Sequence, residues 1–285
     1  MRIKGIIATT HVDLQREKLA LSALEGLVAQ TNDRWIPLGM HHDPRIPPIG
    51  RVLRAELKQL DDGEWGVETE SEIFEPGEAP AVDPSRKYRP NLRPNGDVGV
   101  VFDFAYRNAE DAADIAALSK LLNSKSKPRY EAKKAAEPIT ILTIAGGFVL
   151  GNITGGFFGQ IGADAYEAAK EKLQSLLDRK RRVGSDTLLV YDWDVTKDGD
   201  VLKVKIVLTN PSASDIDWAF REGMHRLDEY LIEHFDALRS QGARELLVDF
   251  EHEKINLKFA INEDCLPLFP NDDETAKEMA PSEAK

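Results

Sequence analysis

The chain has 285 residues, 42% hydrophobic and 30% charged, a balance that excludes a disordered polypeptide and allows two cores of ordinary size. Its 49 acidic residues outnumber 37 basic ones, and a net charge of −12 argues against a general nucleic-acid binder, which needs a basic surface to displace counterions. The one cysteine, Cys265, excludes an internal disulfide and a cysteine-built zinc site.

The first residues, Met1 to Ala8, are too short in apolar length for a signal peptide and read as a strand, so a cytoplasmic protein is expected. Short strands are predicted near 3–8, 35–38, 50–59, 64–73 and 97–106, separated by turns such as Asp61-Asp62-Gly63. A helix near 16–30 interrupts them, with Leu19, Ala23, Leu27 and Val28 on one face. The proline- and charge-dense stretch 76–95 reads as an exposed loop. These elements make a β-rich first domain, 1–107.

Residues 108–123 place Ala112, Ile115, Leu118 and Leu122 on one helical stripe, and a basic, polar linker carries the chain to 137. From Pro138 to Ala163 there is no charge, and Gly151, Gly155 and Gly159 recur at every fourth position. Such a stripe fits a buried helix packed on another backbone, within the chain or in a homo-oligomer. The same segment, 139–163, is also long enough for a membrane span, and both readings are carried forward. An amphipathic helix follows to about 182, with Tyr166, Ala169, Leu173, Leu176 and Leu177 on one side. Its terminal Arg179-Lys180-Arg181-Arg182 run reads as a solvated helix end that complements the dipole.

Residues 184–269 read as a ββαββ domain built on an antiparallel sheet. Leu188–Val195 and Val201–Leu208 form a hairpin about Asp198-Gly199. A helix opens at Ser212 and Asp215 in a capping-box pattern and carries Ile216, Phe220, Leu227, Leu231 and Phe235. A second hairpin follows, and the acidic tail 270–285 is expected to be disordered. The fold class is therefore α+β.

The chemistry-bearing residues concentrate in the first domain. His11 and Asp13 follow the first strand; His41-His42-Asp43 precede Pro44, and Ile49-Gly50-Arg51-Val52 opens a later strand. With Gly5, Val12-Asp13, Glu17, Pro37-Leu38 and Asp61-Asp62-Gly63-Glu64-Trp65, this ordered set resembles the prohead (capsid-maturation) serine proteases of tailed phages, over the first third of the chain only. The resemblance implies a barrel-like protease domain with His42 as general base, and Asp43 and His11 as candidate partners. It also implies a nucleophilic serine in a later strand, but Gly96–Tyr106, where that strand falls, holds no serine, threonine or cysteine. Ser71 and Ser85 are the weak remaining candidates, and neither stands in a matching context. A degenerate protease-like domain used in recognition or assembly, in a phage-related or anti-phage setting, is thus expected. An active serine endopeptidase and a membrane-acting effector are the alternatives. A protein partner or peptide substrate is expected, with no cofactor. His11, Asp13, His42 and Asp43 match no metal-ligand spacing, and the two adjacent histidines also fit a plain turn.

Overall fold

The computed structural model describes residues 1–12, 18–40, 43–75, 86–92, 98–103, 108–124, 127–131, 139–152, 163–181 and 186–269. They fall into two compact units. The first comprises Met1–Arg89 together with Ile261–Pro267; the second includes Pro90–Lys133 and Glu137–Ala260. The expected boundary near 107 thus moves to 89/90, because the strand and helix on either side of 107 belong to the second core.

In the first unit, β1 (Arg2–Thr9), α1 (Leu21–Asp33), β2 (Ile36–Leu38), β3 (Gly50–Gln59) and β4 (Trp65–Ile73) form an antiparallel four-stranded sheet, order β1-β4-β3-β2, and one helix. Among the described residues this sheet is open. β1 and β2 are its two edges and do not meet, so the expected barrel is replaced by an open layer. Leu24 of α1 is fully buried against Ala8, Ala55 and Val67, with Leu19, Leu27 and Val28 around it. The period-two alternation of β4 sends Glu68, Glu70 and Glu72 to the other face. There they meet Lys58 at 2.6 Å, Arg54 at 2.9 Å and Arg51 at 2.8 Å from β3.

The second unit contains β5 (Gly99–Asp103), α2 (Ala109–Leu121), β6 (Arg129–Glu131), β7 (Ile139–Val149) and α3 (Ala163–Arg181). β8 (Asp186–Lys197), β9 (Asp200–Thr209), α4 (Ala213–Trp218), a π-helical turn (Ala219–Gly223) and α5 (Met224–Ser240) come next. β10 (Ala243–Glu251), β11 (Lys254–Asn262) and β12 (Pro267–Leu268) complete an eight-stranded sheet, order β12-β11-β10-β9-β8-β7-β5-β6.

The sheet is mixed, not antiparallel. β8 and β9 form the expected hairpin, but β9 pairs with β10 in parallel, and so does β7 with β8. In each parallel pair the intervening helix carries the chain back along the sheet so that the next strand starts at the same end. The helices share one face and one core: Leu173, Leu176 and Leu177 of α3 join Ile115 and Leu118 of α2 and Phe220, Leu227 and Leu231 beyond β9. The Tyr166 and Phe220 rings meet edge-on at 5.5 Å. Since β7 and β9 run in opposite directions while both crossovers step the same way on that face, the two connections have opposite hands. One of them departs from the general right-handed preference.

The uncharged segment is corrected most sharply. Its first half is not a helix but β7, hydrogen-bonded between β5 and β8. An inner strand of a sheet, half-buried on one face and fully buried on the other, carries no charge along its length and so reads as a continuous uncharged run. A single span over 139–163 is therefore not formed, and no helix among the described residues is long and apolar enough to cross a membrane. Gly151 ends the strand with φ +82° and donates its N–H to Asp228 at 3.0 Å. Gly155 and Gly159 lie outside the described residues.

Candidate functional site

His11 and Asp43 lie at opposite ends of the first sheet. Thr9 pairs with Gly66, so His11 stands beside the Leu60–Glu64 turn, where Nε2 is 2.5 Å from Asp62 Oδ2. Leu38, Gly50 and Ile73 pair at the other end, and the loop carrying Asp43 leaves from there, closed by the Ile49 N–H to the Leu38 carbonyl at 3.0 Å. Asp43 is buried and its carboxylate is held by Arg45, with Nε at 3.0 Å and Nη2 at 2.8 Å. His11 therefore partners Asp62, and the expected grouping of His11 with Asp43 is not assembled. His42 lies outside the described residues, as does Asp13.

Ser71 sits inside β4, paired with Ile3 on one side and Val52 on the other, and is 4% exposed. Five residue steps along the strand, roughly 17 Å, separate it from Gly66 at the His11 end. The segment that the resemblance makes the nucleophile strand is β5. It is not in this sheet at all: it pairs with β6 and β7 in the second unit.

The His11 end carries a polar cluster of its own. Lys18 Nζ lies 2.6 Å from Glu64, Thr10 donates its hydroxyl to the same carboxylate, and Thr10 Oγ accepts the Trp65 N–H at 2.9 Å. The Lys18 hydrogen bond, then that of Thr10, holds the Glu64 carboxyl below the usual carboxylate range, and the His11 hydrogen bond does the same for Asp62. These are ionised, satisfied groups that tie β1 to the β3–β4 turn.

The most elaborate side-chain site of the first unit was not read from the sequence. Arg51 is 1% exposed, its guanidinium stacked 3.7 Å from the Trp35 ring centre and bound to Glu72 through Nε at 2.9 Å. Its Nη1 reaches the Asp264 carbonyl at 3.4 Å. Next to it the Tyr88 N–H donates to the Glu263 carbonyl at 2.7 Å, and Lys87 Nζ meets the Glu263 carboxylate at 2.6 Å. Arg86 anchors the residue 86–88 segment through the carbonyls of Leu53, Thr31 and Arg34. The signal was present in Ile49-Gly50-Arg51-Val52: an arginine in an otherwise apolar strand start needs a carboxylate and a flat partner.

In the second unit two charged groupings stand out. On the sheet face away from the helices, the buried Lys203 ammonium lies 2.7 Å from Asp192 and 3.1 Å from Asp194, and Lys205 lies 2.6 Å from Glu245. Cross-strand register brings them together, Asp192 opposite Lys205 and Asp194 opposite Lys203. Between helices, Arg179 binds Asp111 at 2.9 Å and Asp114 at 2.7 Å, while Lys180 takes Asp111 at 2.8 Å. The basic run read as a solvated helix end thus clamps α3 to α2. Both groupings are compensated ion networks, and among the described residues no group of histidine, cysteine and acidic side chains could hold a metal ion.

Fold and site together define an α+β protein of two units, the first built around a charged open sheet and the second around a mixed sheet with one helical layer. Comparison with protein-family models, with curated proteins and with solved structures gave no match to this chain.

Proposed function

We propose that the first unit works by recognition or assembly rather than by peptide hydrolysis, as a degenerate relative of the phage prohead proteases it resembles. The observation that carries this reading is Ser71: of the two serines weighed as nucleophile, it is a ladder residue of a central strand, closed off from substrate, and Ser85 lies outside the described residues. The strand expected to bear the catalytic serine pairs in the other sheet and holds no hydroxyl or thiol. Serine is a weak nucleophile without an adjacent imidazole, and His11 stands at the other end of the sheet from Ser71. The phage-related or anti-phage setting follows from the resemblance alone, and an oligomerising role of the second unit from the glycine-rich stretch, of which Gly155 and Gly159 lie outside the described residues.

A fluorophosphonate probe tests the reading. The native full-length chain is expected to stay unlabelled on intact mass, as is His42→Ala. Stoichiometric labelling that disappears in His42→Ala would establish the serine endopeptidase in its place.

A further inference from the structure

The Trp35–Arg51–Tyr88 surface holds a segment that shapes itself. Asn262 Oδ1 accepts the N–H groups of Asp264 and Leu266, each at 2.9 Å, and the Asn262 N–H meets the Leu266 carbonyl at 3.0 Å. The Cys265 N–H closes onto the Asn262 carbonyl at 3.1 Å, with Cys265 at φ +66° and fully buried. This turn keeps its form through bonds of its own, as a preorganised peptide ligand does. The surface reads it through the Glu263 and Asp264 carbonyls, which report shape, and through Lys87 on the Glu263 carboxylate, which reports charge. Arg51 is fixed beforehand by Glu72 and Trp35, and the Leu24–Ala55–Val67 core does not involve the segment.

We propose that this surface is an acceptor site for an acidic turn peptide, closed in cis by the chain's own Asn262–Leu266 segment, which a peptide of the same chemistry displaces. It rests on reading the first unit as a recognition module. A segment joined to its acceptor by the same chain competes at high effective concentration, so apparent affinity for a free peptide scales with the fraction of molecules in which the strap is open.

Cys265 is the sole thiol of the chain and reports that fraction directly. The full-length protein is treated with a thiol reagent in water and in rising urea. In parallel, a fluorescein-labelled peptide of residues 260–268, with Cys265→Ser, is titrated by anisotropy. Glu263→Lys sets like charges against Lys87 at an exposed pair and leaves the core intact. We expect it to speed thiol labelling about five-fold and to tighten peptide binding by the same factor, with Lys87→Glu/Glu263→Lys returning thiol labelling to the native rate and weakening the peptide below its native affinity, because the peptide's own glutamate then faces Glu at position 87. Labelling that follows only global unfolding in urea, or peptide binding that is absent or indifferent to Glu263→Lys, overturns the proposal. Failure here without fluorophosphonate labelling removes the strap alone, whereas fluorophosphonate labelling removes the recognition reading whatever the thiol does.

Discussion

Asp114 shows how single charges hold the second unit together. Lys172 lies 2.7 Å from its carboxylate and Arg179 2.7 Å, and the Lys172 hydrogen bond leads in holding its pKa below the usual carboxylate range. The folded state therefore releases this proton more readily than the unfolded chain. The contribution is complete above the unfolded value of about 3.9 and is lost as pH falls through the lower folded value. Asp114→Asn is expected to cost about 1 kcal/mol at neutral pH and to flatten the acid limb of stability against pH, as read by urea midpoints. An acid limb as steep as in the native chain would show that Asp114 contributes nothing. The acidic first turn of α2 and the basic last turn of α3 were both visible in the sequence. Their pairing was not, because nothing in either helix says which neighbour it packs on.

At the level of elements, periodicity served where one face is wet. α2, α3 and α5 carry the stripes read from their spacing, and Ser212 with Asp215 forms the capping box. Periodicity failed for β7, whose run Ile139-Thr140-Ile141-Leu142-Thr143-Ile144 buries Thr140, Leu142 and Ile144 fully and leaves Ile139, Ile141 and Thr143 half-buried; a short segment with uncharged residues on both faces has no period to separate strand from helix. The β-branched residues and the following glycines were the surviving clues. The long helix after β9 also hides a π-helical turn at Ala219–Gly223. Gly223 is needed there, since a Cβ would come within 2.6 Å of the Phe250 ring and 2.9 Å of Trp218. Gly223→Ala should therefore destabilise by about 1–3 kcal/mol through overpacking, although alanine is the better helix former. A gain in urea midpoint for that variant would mean the turn relaxes freely.

At the scale of the molecule, two units were legible from composition and punctuation, and the α+β class with them. The boundary was not, because β5 looks like any other short strand until its partners, β6 and β7, are known. Nor was the return of Ile261–Pro267 to the first unit, a contact nearly two hundred residues away in sequence. The histidines and the Ile-Gly-Arg-Val strand drew attention to the first unit. What the sequence hid was register, which puts His11 and Asp43 at opposite ends of one sheet and Ser71 inside it.

The proposed recognition role rests on the burial of residue 71, which can be measured directly. Ser71→Cys changes one atom; after brief exposure to a thiol reagent under native conditions, peptide mapping locates the modified cysteine. The account predicts no modification at position 71 until the chain is globally unfolded. Rapid modification in the native state would place that side chain in an open site and contradict it.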